Sequence, residues 1–426
     1  MSLFPESLLW HIWKNKLFAA TDLYTTDGRK VTILELGYIH QEVGPDVFNA
    51  KIEIDGLTWA GNIEIDIKSS SWIAHKHVTN PAYASIILHV VYELDSAIVP
   101  HSFPILELKN YIPAYLISNY KTLLETSYDF IPCEKNSKSV DDIYWNSWAD
   151  RLVIQRLEYK TQDILVYLKS VQNNWKVVIY HTLAKYFGFK TNAMPFELVA
   201  KSLPINCIES HQSSLLQIEA LLFGQAGWLE KDFIEEYALQ LKQEYTFLQK
   251  KFHLTPIELG SWKFGKLRPA NFPTIRMAQL ASFLQQHSAN LFSKIIDATC
   301  VEDYFVLLNC TPSTYWDTHY VLDKESKGSN KKMGKDAIHG IIINVFIPIL
   351  FAYSIHIQEE DYKEKALLFL DKIVPEKNSI MNKWKEIGKA PSSALVSQAF
   401  LELYTNYCTA NKCLECSIGT KIIGNK

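Results

Sequence analysis

Asp55-Gly56 sits between two runs of alternating residues, 50–54 and 58–68, and an Asp-Gly pair in that position folds a chain back on itself as a β-hairpin. This turn constrains the N-terminal region most, because it sets the antiparallel partner of the strand N-I-E-I-D-I-K at 62–68. Side chains alternate along a strand, so Ile63, Ile65 and Ile67 point to one face and Glu64, Asp66 and Lys68 to the other. Upstream, Gly44-Pro45-Asp46 turns the chain into the first arm of the hairpin. Glu64 follows Asp46 by eighteen residues, enough for the hairpin to bring the second carboxylate back beside the first.

Further β-rich runs occupy 30–37, 85–94 and 105–108. The run Ser85-Ile-Ile-Leu-His-Val-Val-Tyr is almost continuously apolar, as expected of a central strand buried on both faces. Residues 1–19, with Leu8, Leu9, Ile12, Trp13 and Leu17 at helical spacing and Pro5 near the start, predict a helix carrying Glu6 and His11. Beyond Pro113 a 3.6-residue period takes over, over 148–171, 175–186, 215–222, 233–252 and 277–287. The expectation is an α+β protein in two parts. A mixed sheet with flanking helices fills 1–112, and a mainly α-helical domain fills 113–426 and ends in a cysteine-rich segment.

At 426 residues, 48% hydrophobic and 21% charged, the chain has the composition of a globular protein large enough for both domains. A net charge of -3 and a pI near 6.5 give no global attraction to polyanions, so a nucleic-acid surface would have to be a local basic patch. The N-terminus lacks the basic-then-apolar pattern of a secretion signal, and no run reaches the roughly 18 apolar residues of a membrane span. A cytoplasmic protein with no membrane segment is expected. The apolar run 341–353 contains Asn344 and Pro348 and reads as a buried helix or helix pair, and K-E-S-K-G-S-N-K-K-M-G-K at 324–335 as an exposed mobile loop.

Metal-dependent phosphodiester hydrolysis needs hard oxygen ligands for a divalent ion and a positive group near the attacking water. Asp46 after its turn and Glu64 on the neighbouring strand have the spacing of a PD-(D/E)XK nuclease core, a restriction-endonuclease-like sheet. In that reading Asp46 and Glu64 hold Mg²⁺ or Mn²⁺, Glu6 on the first helix adds a ligand, and Asp66 joins the catalytic group. Position 66 is where the motif places lysine. Lys68 stands about 6.6–6.8 Å further along the same face, and Lys51 on the partner strand is the other candidate to replace it. His75 and His77, in W-I-A-H-K-H, offer imidazoles that share a face if the chain is extended there, while His89 in the apolar strand reads as a core histidine. The plain alternative is a solvated strand face of alternating charges.

Two further groups carry chemistry. Cys408, Cys413 and Cys416 form C-x₄-C-x₂-C, and Cys133 offers a fourth thiol, a set suited to zinc or an iron–sulfur cluster, with simple burial as the alternative. Cys207, Cys300 and Cys310 read as core residues. The stretch 262–276 interleaves Lys263, Lys266, Arg268 and Arg276 with aromatic rings, a pattern that binds phosphates and stacks bases of DNA or RNA, or else a structural loop whose arginines pair with nearby carboxylates. Gly224 to Leu229 reads as a glycine-capped helix end.

These landmarks together resemble an uncharacterised bacterial family, domain of unknown function 2851 (DUF2851). The likeness runs through Leu9–Trp13, G-P-D at 44–46, G-N-I-E-I at 61–65, S-S-W and H-K-H within 70–77, and L-H-V-V at 88–91. It continues through 219–229, 268–276, 343–353, Glu376-x-Asn378 and the terminal cysteines. Where members of the family look like G-x-V-E-I-H, this chain has Asp66 in place of the histidine. The resemblance implies no established reaction. The expected function is a divalent-metal-dependent nuclease or a nuclease-derived nucleic-acid-binding protein. The alternatives are a non-catalytic scaffold on a decayed nuclease fold, whose helical domain binds a protein partner, and a His/carboxylate metal hydrolase of a small substrate.

Overall fold

The computed structural model describes residues 4–40, 43–77, 80–96, 103–125 and 127–425. The chain forms two compact units, one of Met1–Ala149 with Glu386–Lys389 and Leu401–Lys426, the other of Asp150–Lys385 with Ala390–Phe400. The first unit therefore runs past residue 112 and takes in the C-terminal cysteine segment.

The first unit is built on a seven-stranded sheet: β1 (Leu23–Tyr24), β2 (Lys30–Glu35), β3 (Tyr38–Ile39), β4 (Val47–Ile54), β5 (Leu57–Lys68), β6 (Ile86–Glu93) and β7 (Ile105–Glu107). Its order is β1-β2-β4-β5-β6-β7, with β3 paired to β4. The pairs from β1 to β5 are antiparallel, whereas β5–β6 and β6–β7 are parallel, so the sheet is mixed as expected. Asp55 and Gly56 take φ of +48° and +82° and Ile54 faces Leu57, the two-residue turn that Asp-Gly favours. Helix α1 (Glu6–Lys14) buries Leu8, Leu9, Ile12 and Trp13 and packs on β5. It is shorter than the 1–19 predicted, of which 1–3 lie outside the described residues.

Strand β5 changes character along its length. Leu57–Ala60 are exposed, while from Asn62 onward β6 runs alongside and residues 62–66 are buried on both faces. Ile63 and Ile65 are wholly buried, but so are Glu64 at 4% exposure and Asp66 at 1%. The solvated-face alternative is thereby overturned. Helix α2 (Ser71–Ala74) follows β5, α3 (Ala114–Glu125) follows β7, and α4 (Asp142–Ser170) carries the chain into the second unit.

The second unit is mainly helical, with helices at Trp175–Phe187, Leu215–Gln225, Glu236–Phe252 and Pro273–His287 close to the predicted periods. Residues 335–357 form one continuous helix, with a π-helical turn at Ile342–Phe346, rather than a pair. It is long and apolar enough to cross a membrane, but most of it is buried within the fold, as the core helix of a soluble protein would be. Its one interior amide, Asn344, donates to Tyr186 Oη (2.8 Å) and Gly340 O (3.0 Å) and accepts from Lys160 Nζ (2.9 Å). The 324–335 segment is more anchored than expected. Lys331 is buried, its ammonium donates to Ser329 O (3.2 Å) and lies 3.9 Å over the Tyr320 ring.

Because β6 is a fully covered central strand, Leu88→Ala should lower stability by about 2–5 kcal/mol through lost burial and a residual cavity. Leu57→Ala on the exposed end of β5 should stay within about 0.5 kcal/mol. Urea melts followed by circular dichroism compare the two, and equal effects would contradict the burial difference.

Candidate metal and catalytic site

The turn at 44–46 aims the first carboxylate. Gly44 has φ +130°, a conformation that an L side chain rarely adopts, and Pro45 fixes the next step. A register shift between Val47 and Ala50, where Asn49 takes φ +56°, bends β4 beside the site, and the Asn49 N–H donates to Asn62 Oδ1 (3.2 Å). Asp46 then reaches across to β5: its Oδ2 accepts from Ile65 N–H (2.9 Å), while its own N–H donates to Glu64 Oε2 (3.3 Å). The hairpin has brought Asp46 and Glu64 together as expected.

Glu6 comes from α1 and lies against Asp66, a neighbour that favours the protonated form of its carboxyl. Asp66 also meets His89 Nε2 at 3.0 Å from β6 and His75 Nδ1 at 3.4 Å. His89 is thus a core histidine, buried as expected, but its partner is a site carboxylate. His75 ends α2, Lys76 takes φ +60°, and His77 turns back under the strand. The histidine rings lie 5.4 Å apart, so the pair converges through a short helix and a left-handed residue, not through extended chain. Donor atoms of Asp66, His75 and His77 all lie within 4.8 Å of one another.

His77 Nε2 is 3.0 Å from Glu64 Oε1 and buried, yet makes no hydrogen bond. Burial holds the His77 ring below its ordinary pKa, against the pull of the Asp66 charge, so its nitrogen is available as a neutral donor. Trp72 packs against His77 (5.1 Å), His89 (5.3 Å) and Tyr83 (5.8 Å), and Tyr83 lies over His77 at 4.0 Å. Tyr83 Oη also donates to Gly44 O (3.2 Å), tying this cage to the turn that aims Asp46. Tyr83 carries no motif by which sequence could have assigned it to the site, and Trp72 was visible only as the end of S-S-W.

Burial, followed by the neighbouring negative charges of Asp66 and Asp46, raises the Glu6 carboxyl to about 8. Burial also raises Asp46 to about 7, against the Ile65 N–H that favours its charge, and raises Glu64 to about 9 with the charges of Asp46 and Asp66 adding to it. Oxygen and imidazole donors converge here around a shortage of positive charge, an arrangement that a divalent cation would complete. Asp66, His75 and His77 form the compact donor set, with Glu64 against His77 and Asp46 and Glu6 behind.

Other expected site residues lie elsewhere. Lys68 is half-exposed and pairs with Asp95 (3.6 Å), whose carboxylate also accepts from Ser69 Oγ (3.1 Å) and Ser70 N–H (3.0 Å). Its ammonium therefore serves the corner after β5, and Asp66, with the shortest side chain that could carry a charge there, occupies the site position instead. Lys51 is exposed, facing Ala60 across the hairpin. Lys263, Lys266 and Arg268 are exposed in the second unit. Arg276 is not a surface cation: it is 7% exposed, donates to Gln279 Oε1 (2.9 Å) and Asn271 Oδ1 (2.6 Å), and stacks 4.3 Å over Phe189. It lies in the first turn of Pro273–His287, whose first twelve residues are all buried.

The family model described as a protein of unknown function, DUF2851, matches residues 6–379, which spans every residue of this site. No curated protein and no solved structure matches the chain.

Raised carboxyls give the metal-free protein a definite pH dependence. Glu6, Asp46 and Glu64 bind protons more tightly folded than unfolded, so their contribution is complete below about pH 4 and is lost as pH rises through about 7 to about 9. The melting temperature in chelator should fall across that window, and Glu64→Gln should flatten the fall. A melting temperature equal at pH 5 and pH 9, or the same slope in both proteins, would contradict the assignment.

Proposed function

The chain belongs to the DUF2851 family, and from its site we propose that it is a divalent-metal-dependent hydrolase of phosphodiester bonds in nucleic acid. One observation carries this reading: donor atoms of Asp66, His75 and His77 lie within 4.8 Å of one another, with His77 Nε2 buried and without a hydrogen bond beside a wall of carboxylates with raised pKa. Imidazole together with carboxylate favours Mn²⁺ over Mg²⁺. A bound divalent ion would polarise the phosphoryl oxygen and make a coordinated water acidic. Asp66, His75 and His77 would bind it, with Glu64 positioned to orient His77 or to add an oxygen.

Asp46 and Glu6 would hold protons near the reacting group, since both carboxyls titrate near neutrality. The order of helix, hairpin and parallel strand, with Asp46 after a Gly-Pro turn, supports the restriction-endonuclease-like reading of this unit and hence a nucleic-acid substrate. Lys263, Lys266 and Arg268 are the candidates for phosphate contacts. A small phosphodiester substrate is the second reading, favoured by the histidine ligands and by the engagement of Lys68 with Asp95.

Mn²⁺ binding followed by electron paramagnetic resonance, with cleavage of labelled single- and double-stranded DNA and RNA, tests both. His77→Ala and Asp66→Asn should each weaken Mn²⁺ binding at least about tenfold. Glu64→Gln and Asp46→Asn should depress cleavage about 10²-fold or more. Cleavage of a small aryl phosphodiester with all four nucleic acids untouched would move the assignment to the second reading. A folded protein that binds neither Mn²⁺ nor Zn²⁺ and cuts nothing would leave the scaffold reading in place.

A further inference from the structure

Cys133 is remote in sequence from Cys408, Cys413 and Cys416, yet all four lie in the first unit as free thiols with only 7–8% exposure. Isolated buried cysteines are ordinary core residues. These four are not isolated: burial pushes the Cys133 and Cys408 thiols up, and after burial the nearby Cys416 and Cys413 add to the rise at Cys133, as Cys133, Cys416 and Cys413 do at Cys408. Two well-anchored segments bring them together. In the first, Glu134 accepts from Asp129 N–H (3.2 Å) and Phe130 N–H (3.0 Å), closing the loop around Cys133. That loop meets the C-terminal segment through Phe130 stacked on Tyr404 (5.1 Å) and Tyr128 Oη donating to Asn411 Oδ1 (3.0 Å).

The second segment is shaped for its sulfurs. Cys408 ends a π-helical turn, Leu403–Cys408, a distortion frequently found at functional sites. Cys416 is the buried N-cap residue of the helix Ser417–Gly424; burial pushes its thiol up, and the neighbouring Ile418 and Gly419 N–H groups draw it back in part. A Cβ on Gly419 would fall 2.2 Å from Cys413 O, so glycine there lets the Cys413–Cys416 loop close onto the helix.

We propose that Cys133, Cys408, Cys413 and Cys416 bind a metal centre through four thiolates. The ligands suit an iron–sulfur cluster or a single zinc ion, and the C-x₄-C-x₂-C spacing with one distant cysteine favours the cluster. The site is separate from the carboxylate–histidine group and does not rest on its function.

The test is metal analysis of the full chain purified without oxygen, in an Asp66→Asn/His77→Ala background so that metal at the other site is not counted. Iron with matching acid-labile sulfide and a broad visible absorption identifies the cluster, and about one zinc per chain without colour identifies the ion. Either supports the proposal, and Cys413→Ser should then remove most of the metal. Because that variant may not fold, the parent is also stripped with chelator and titrated with Co²⁺, for which sulfur-to-cobalt charge-transfer bands are expected. A folded protein with neither metal and no such bands, its four thiols titrating as free groups, overturns the proposal.

Discussion

Glu64 and Asp66 are buried on one face of a central strand, and the rest of the first unit is organised around that constraint. Two carboxylates two residues apart on a strand stand roughly 6.7 Å apart at the backbone. If both were ionised at an effective dielectric near 20, each such pair would cost roughly 2–3 kcal/mol before any desolvation. Asp46 and Glu6 add to the same field. The fold meets it with imidazoles from two directions, His89 from the neighbouring strand and His75 with His77 from the α2 corner, and by keeping protons on its carboxyls. A group of this composition would gain if a cation entered and protons left, which is what the proposed metal site requires.

That dependence gives the neighbouring irregularities a common reason. The left-handed Gly44, the shifted register at Asn49 and the left-handed Lys76 each interrupt regular structure within a few residues of a donor atom. Trp72 and Tyr83 then hold the histidine turn against the strand with ring contacts on His77 and, from Trp72, on His89. The Asp95 carboxylate fixes the corner between β5 and α2 and takes up the charge of Lys68. Rigidity around the site is supplied by side chains that need not touch a substrate.

Much of this was legible because its signals are local. Asp55-Gly56 with two alternating runs fixes the hairpin, and from it the meeting of Asp46 with Glu64. Alternation separates the two faces of β5 but says nothing about what covers each, so the burial of Glu64 and Asp66 was hidden until β6 and α1 were in place. The same gap explains Arg276. Its charge was visible, but its position in the buried first turn of a helix depends on where Pro273 starts that helix. His75 and His77 were visible as a pair, while their convergence rests on the left-handed backbone of Lys76, which sequence does not announce.

The cysteine corner raises a topological point. The first unit contains residues up to Ala149 and again from Leu401, with most of the second unit's chain between. Its two halves must close a very long loop before Cys133 meets Cys408, Cys413 and Cys416, and such closure carries an entropic cost that grows with length. Aromatic stacking of Phe130 on Tyr404 and the edge contact of Trp148 with Tyr407 offset part of it. A metal held by the four thiols, as proposed, would place a cross-link across that junction, where the closure cost falls.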